Sequence, residues 1–313
     1  MKEINCPICE QDNTESIFKK GNLDKDLFNV ICRNCGLVFI NPRPEKEEYD
    51  KFHEAEFLSE KAIVGIEQVE SKLNDSDLRI KTSIFNFLDE YLDEGKKVLD
   101  IGCGFGRLLN IIKREKKVDV FGVELGNLDV EAAKKYYGLD AFHGSLEEFA
   151  KNQENWDKFD VIIMHHVLEH LPEPLVSLCQ IKKLLKSEGV LYIGVPNVMN
   201  IKKRPDIFFQ QAHPFSYSPY SLSLLLQKSG FGILKFNRKA GYPGGMEMLA
   251  MLNIQNKLIL KEGADYSKVR EYVLKTENKF KKLRNFRERI FFWLPKKIRM
   301  KFSRIIGNIL KNM

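Results

Sequence analysis

At 313 residues, with 43% hydrophobic and 30% charged side chains, the chain is long enough for one large α/β domain with an appendage or for two modest domains. It holds no apolar run of the ~20 residues that a membrane span needs, and Met1–Cys6 lacks a basic-then-apolar leader, so a cytoplasmic location is expected. The net charge of +7 is uneven: from Ser267 onward fifteen Lys/Arg face three Glu, which leaves the body mildly acidic and the tail strongly basic.

Four of the six cysteines stand as Cys6-Pro7-Ile8-Cys9 and Cys32-Arg33-Asn34-Cys35, with Gly36 after the second pair. Between them, Ser16-Ile17-Phe18 and Leu27–Ile31 read as a short hairpin. Two C-x2-C knuckles suit one tetrahedral Zn²⁺, with iron in a rubredoxin-like site as the other metal open. Paired disulfides do not suit a reducing compartment. Four thiolates leave no open coordination position, so this metal is expected to hold the fold. Leu37–Ile40 follows as a short strand, stopped by Asn41-Pro42-Arg43-Pro44.

Helical patterning runs over Glu45–Leu58, with Tyr49, Phe52 and Phe57 on one face, and again over Asp77–Leu92 through Ile80, Ile84, Phe87, Leu88 and Tyr91. These helices either cap the core or form a lid over a ligand. The expected division is a zinc-binding knuckle at 1–44, a helical lid at 45–95, a core at 96–254 and a helical tail at 255–313.

From Lys97 strands alternate with helices: Val98–Ile101, Asp119–Glu124, a short strand near Ala141–His143, Phe159–Met164 and Val190–Val195. A turn at Lys186–Gly189 precedes the last of these. That rhythm predicts a doubly wound, mostly parallel, Rossmann-like α/β sheet, with ligands at the carboxyl ends of its strands. The first strand ends in Val98-Leu99-Asp100-Ile101-Gly102-Cys103-Gly104-Phe105-Gly106 and opens a helix at Arg107. Glycines there let the backbone turn sharply and approach a ligand. Glu124 ends the second strand, where a carboxylate can accept hydrogen bonds from both ribose hydroxyls. The G-C-G-F-G spacing departs from the G-x-G-x-x-G of dehydrogenases. Beyond Gly230, Phe231–Asn237 and Met246–Ile254 read as two closing strands.

VLDIGCGFG, Glu124, FDVIIMHHVLEHLPEP (Phe159–Pro174), LLKSEGVLYIGVPN (Leu184–Asn197) and His213–Ser218 together resemble the class I S-adenosylmethionine-dependent methyltransferases, with a seven-stranded sheet. The resemblance covers roughly Lys97–Ile254. It implies that Asp100 reaches toward the methionine amino group, and that Gly102, Cys103, Gly104 and Gly106 form the cofactor turn. It further implies that Glu124 holds the ribose, Leu125 packs on adenine and the Leu146 N–H reaches the adenine ring. Many relatives carry Asp where this chain has Ser145, leaving a hydroxyl to meet the adenine amino group. His165, at the end of its strand, falls with the cofactor residues. The knuckle, closing with CGLVFINPRP, is similar to an arrangement in bacterial methyltransferases acting on sugars and surface polysaccharides.

A sulfonium is a good leaving group, so placement of the acceptor supplies much of the rate, and a hydroxyl acceptor also needs a base. His166, Glu169, His170 and His213 are the catalytic candidates. His166, Glu169 and His170 share the i, i+3, i+4 spacing of one helical face. In ubiquinone and small-RNA 2′-O-methyltransferases a Glu-x-x-Glu-His here binds a divalent ion, and this chain places His166 where the first Glu stands, with His213 as a fourth ligand. Against that, Glu169 and His170 serve simply to cap and orient the loop. Cys103 and Cys179, the latter placed on an apolar helix face, are expected to pack and not react.

In the tail, Phe280, Leu283, Phe286 and Ile290 form a stripe, followed by Phe291-Phe292-Trp293-Leu294 and further basic residues. Such a segment suits an anionic membrane surface, as a peripheral contact at the inner face. It also suits packing on the body or on a second subunit, and nucleic acid is the weakest match because the aromatics cluster. The expected function is S-adenosylmethionine-dependent methylation of a sugar or surface-glycan hydroxyl. The alternatives are metal-assisted O-methylation of a small aromatic or quinone-like hydroxyl, and a nucleic-acid-binding module.

Overall fold

The structure is a computed structural model that describes residues 1–19, 27–45, 48–49, 75–238, 244–252 and 266–293, with 75–77 and 283–293 as backbone alone. Most of the expected Glu45–Leu58 helix, including Phe52 and Phe57, lies outside the described residues, as do 253–265 and 294–313.

The knuckle contributes three antiparallel strands, β1 (Thr14–Phe18), β2 (Asn29–Cys32) and β3 (Val38–Ile40). Helix α1 (Asp75–Leu88) leads to the core. There β4 (Lys97–Ile101), α2 (Arg107–Glu115), β5 (Asp119–Glu124), α3 (Asn127–Tyr137), β6 (Ala141–His143), α4 (Leu146–Lys151) and β7 (Phe159–His165) follow in turn. The chain continues through α5 (Pro174–Leu184), β8 (Leu185–Pro196), α6 (Pro205–Phe208), β9 (Phe215–Ser216), α7 (Pro219–Lys228), β10 (Phe231–Asn237), β11 (Gly245–Leu252) and α8 (Tyr266–Trp293).

Seven strands form one sheet in the order β10-β11-β8-β7-β4-β5-β6, and β11 alone runs against its neighbours. The central strands are apolar on both faces, as a parallel sheet covered on both sides requires. One face packs Val98, Val161, Ile163 and Tyr192 against α1 and α2. The other packs Leu99, Ile162, Met164 and Leu191 against α4, α5 and α7. The chain winds outward from β4 through β5 and β6, then crosses to β7 and β8, so the strand order reverses at β4. The ends of β4, β5 and β7 therefore border the crevice where such sheets bind ligands.

Two differences from expectation have local causes. The turn expected at Lys186–Gly189 lies within β8, whose pairing with β7 jumps from Phe159↔Leu185 to Val161↔Val190. Cys179 is exposed, because α5 buries Ser177, Leu178, Ile181 and Leu184 and turns the next position outward. In addition, β9 joins the knuckle, giving the order β1-β2-β3-β9. The start of the tail helix is also anchored there: Val269 and Val273 are buried with Ile17, Phe18, Ile31 and Val38, and Arg270 Nε donates to Glu15 at 2.8 Å. Among the described residues no helix is long and apolar enough to cross a membrane.

Candidate active site

The glycine turn after β4 is held from below. Gly102 N and Cys103 N both donate to Val123 O, at 2.8 and 3.2 Å. Gly102, Gly104 and Gly106 have φ of +70°, +55° and +81°, a region that costs an L side chain energy. A Cβ on Gly102 would stand 2.6 Å from Val167 Cγ2, whereas one on Gly104 would meet nothing within 4 Å. Gly104 thus leaves open backbone at the mouth of the turn, the kind of cradle a ligand needs. Cys103 packs downward: a Cβ on Gly122 of β5 would meet its Sγ at 2.6 Å.

Glu124 is 3% exposed, and its two oxygens accept from Gly104 N and Gly126 N, each at 2.8 Å. The carboxylate therefore ties the second strand to the first turn. Asp100 is buried at the end of β4, and burial pushes its carboxyl up to about 7, with the Lys81 ammonium acting against the rise and Glu124 adding to it. Lys81, on α1, also acts on His165. Sequence reasoning passed over this lysine; the signal was a cation between Ile80 and Ile84 on the helix's apolar side. Leu125 is half-exposed and its carbonyl meets a ring nitrogen of His143 at 3.1 Å. Leu146 is buried.

Ser145 caps the helix that follows it. Its hydroxyl accepts from Glu148 N at 3.1 Å and donates to Glu148 Oε2 at 2.9 Å, while Ser145 N donates to the same carboxylate at 2.7 Å. This reciprocal cap starts α4.

The second half of the site follows β7. His165 packs on the α1 side of the sheet, its Nδ1 2.5 Å from where a Cβ on Gly194 would lie. Desolvation holds it well below the usual imidazole range. His166 turns the chain with φ +57°, its N–H on Gly194 O at 2.8 Å. That reversal brings its Nδ1 to Glu169 Oε1 at 2.8 Å. Glu169 is 1% exposed, and its Oε2 has no hydrogen-bond partner among the described residues. Burial acts to raise its carboxyl, but the His166 hydrogen bond and the surrounding imidazoles hold it down at about 2.

His170 and His213 meet edge to face with ring centroids 4.6 Å apart. Desolvation lowers both, His213 to about 3, so each ring is neutral near pH 7. Glu169, His170 and His213 each offer a ligand atom within 4.8 Å of the others. One carboxylate and two neutral imidazoles, with an orphaned carboxylate oxygen among them, fit a divalent cation. His166, expected among the ligands, serves as the hydrogen-bond partner of Glu169. The Tyr217 hydroxyl is also buried without a hydrogen-bond partner among the described residues, and Glu169 acts on it electrostatically. Its signal in the sequence was proximity to His213.

The four knuckle sulfurs likewise lie within 4.8 Å of one another, with Cys6–Cys35 and Cys9–Cys32 at 3.4 Å. Hydrogen bonds from Cys35 and Cys6 pull the Cys32 thiol far down, while Cys32 pushes the Cys6 thiol up. Such a set, all sulfur and closed, fits a structural zinc.

A family model described as a methyltransferase domain matches residues 75–235. A ubiquinone biosynthesis O-methyltransferase of Actinobacillus pleuropneumoniae (serotype 5b, strain L20) is 37% identical over 110 residues, covering 33% of this chain and 47% of that protein. A protein of the same name from Stutzerimonas stutzeri (strain A1501) is 29% identical over 116 residues, covering 36% of this chain and 50% of that one. The chain thus spans about half the length of the curated relatives it matches. Among solved structures, the 1,6-didemethyltoxoflavin-N1-methyltransferase of Burkholderia thailandensis shares the fold, with a TM-score of 0.51 at 18% identity over 68% of this chain and 94% of that one. With a glycine turn, an acidic residue ending β5 and a seven-stranded sheet of this order, the chain belongs to the methyltransferase-domain family, enzymes of the class I fold that depend on S-adenosylmethionine.

Proposed function

We propose that the chain methylates a ring hydroxyl of an aromatic or quinone-like acceptor, using S-adenosylmethionine and taking up the hydroxyl proton at His166. The observation that carries this reading is Glu169, a buried carboxylate with one oxygen on His166 and the other on no described partner. A carboxylate only accepts, so His166 Nδ1 carries the proton between them and Nε2 is left as the acceptor nitrogen. The His166 side chain is 38% exposed, which opens the ring to an acceptor. Glu169 fixes the tautomer and stabilises the imidazolium that forms, as in other His–carboxylate pairs.

The cofactor would be held by the 102–106 turn, Asp100 and Glu124; when bound it supplies an electrophilic methyl group on a sulfonium. Glu169 Oε2, His170 and His213 would hold a divalent cation, which supplies Lewis acidity that lowers the acceptor hydroxyl's pKa. The relatives named for ubiquinone biosynthesis favour a ring hydroxyl over the sugar hydroxyl that the knuckle suggested. The knuckle sulfurs would carry zinc in a structural role.

The test pairs a substrate panel with one substitution. Labelled cofactor should pass its methyl group to a catechol and not to nucleotide sugars. Glu169→Gln should lower kcat by roughly 100- to 1,000-fold while cofactor affinity stays within a factor of two. Activity lost on chelation should return with Mg²⁺, Mn²⁺ or Co²⁺. Full activity after chelation removes the cation from the scheme, and transfer to a nucleotide sugar alone overturns the acceptor.

A further inference from the structure

The residues placed on the acceptor side sit on two arms of chain, 166–172 after β7 and 213–217 before α7. Neither arm is held by the methyltransferase sheet alone. The second is strung between two sheets. At one end Ile40 N donates to Pro214 O at 3.0 Å, and β3 pairs with β9 through Phe39↔Phe215 and Val38↔Ser216. At the other, Val198 N, just past β8, donates to Tyr217 O at 2.9 Å. His213 is thus delivered by the knuckle's own edge strand, two residues before β9 begins.

Arg43, three residues past β3, touches both arms. Its Nη1 donates to Pro172 O at 2.6 Å, two residues past His170. Its guanidinium lies 5.6 Å from the centroid of the Phe215 ring, two residues past His213. Among the described residues no carboxylate closes an ion pair with Arg43, and the side-chain contacts given above run to the two arms. A planar guanidinium can donate at its edge and stack on its face, which an ammonium cannot do at once. The sulfur cluster is mechanically continuous with this arrangement. Cys6, Cys32 and Cys35 share one core with Phe39, Phe215, Tyr217 and Leu168. Lys228, ending α7, donates to Ile8 O at 2.8 Å and to Glu10 Oε1 at 2.6 Å, which fastens the first knuckle to the body.

We propose that Arg43 is a positioning residue that, with the β3–β9 pairing, sets the separation of His213 from Glu169 and His170, so that the cysteine knuckle acts as a part of the acceptor site. This rests on the reading of His166, Glu169, His170 and His213 as that site. Loosening Arg43 frees the two arms relative to each other and leaves the cofactor turn, held by β4 and β5, as it was.

The experiment compares the full chain with Arg43→Met and Arg43→Lys. Arg43→Met should keep the native metal content and bind the cofactor within a factor of two. It should raise the acceptor KM about tenfold, the scale of one charged hydrogen bond. Backbone amides of 168–172 and 212–217 should exchange with deuterium faster, while those of 100–106 keep their native rate. Arg43→Lys, which keeps the charge and a donor but not the planar fork, should recover part of the KM and of the protection. Unchanged exchange in both arms overturns the proposal, as does loss of cofactor affinity in parallel with acceptor KM. Exchange does not depend on which hydroxyl is methylated, so a fully active Glu169→Gln together with altered exchange in Arg43→Met would sink the proposed chemistry and leave the link standing.

Discussion

Asp100, Gly102, Gly104 and Gly106 lie along one unbroken turn, and Glu124 is bonded straight back to Gly104. On the proposed acceptor side, His166 and Glu169 come from one arm, His213 from another, and Arg43 from the knuckle. The cofactor half is made largely of backbone: amides, carbonyls and left-handed glycines supported by neighbouring strands. The acceptor half is made of side chains, two of them with buried polar atoms that no described partner satisfies. A backbone cradle tolerates little change in shape and considerable change in side-chain chemistry. A side-chain constellation has the opposite sensitivity, because its members are set by remote packing.

The largest effect expected from this contrast is at Gly102. A side chain there needs a φ of +70° and displaces Val167, which stands between the glycine turn and the Leu168–His170 turn. Gly102→Val should weaken cofactor binding on the order of 100-fold, from backbone strain of ~1–3 kcal/mol plus the displaced side chain. Calorimetric titration checks it. Affinity within a few-fold of native would mean that the turn is not a rigid cradle, and the contrast between the halves would break.

The same division decided what could be read from the chain. The glycine turn was legible because its physics is local: apolar strand, Asp100, alternating glycines, then a helix. The parallel core strands were legible from their two-sided apolar runs, and the cysteine pairs from their spacing. What sequence could not give was how remote segments meet. Nothing in Phe215-Ser216 marks it as an edge strand of the knuckle, because a two-residue strand carries no periodicity. The i, i+3, i+4 spacing of His166, Glu169 and His170 suggested three ligands on a helix. The chain instead makes a left-handed step at His166 and a single tight turn, which sets His166 against Glu169 and lets His213 complete the cluster. Lys81 was hidden for a related reason, since its partners Asp100 and His165 lie on strands far along the chain.

Asp100 gives a mid-sized effect with a definite sign. Its carboxyl sits at about 7 in the folded chain and near the ordinary Asp value when unfolded. Between those values the unfolded chain has lost the proton that the folded chain keeps, so this group's contribution to stability falls as pH rises from about 4 to about 7. A cationic amino group on the ligand favours the ionised form. Cofactor affinity should therefore rise about tenfold between pH 6 and pH 8 and level off above. Asp100→Asn should flatten that profile. A profile that stays steep in Asp100→Asn would assign the proton to another group, and the cofactor half would then depend on a side chain outside its own turn.

The smallest effect concerns Ser145, where the two halves can be told apart by what a lost hydroxyl costs. That hydroxyl donates to Glu148 Oε2 and accepts from Glu148 N. Ser145→Ala should therefore cost ~1 kcal/mol of stability, the usual value of an N-cap, with cofactor affinity within a factor of two. Ser145→Asp keeps a capping oxygen for Glu148 N and puts a carboxylate beside Leu146, where the resembling enzymes carry one. It also sets two carboxylates close together, because Glu148 Oε2 is 2.9 Å from the Ser145 hydroxyl. Glu148 is exposed and can swing away, so the repulsion should cost little and affinity should tighten by a few-fold. A marked loss of affinity in Ser145→Ala with stability unchanged would show the hydroxyl serving the ligand and not the helix. The cofactor half would then rest on a side chain that also caps α4.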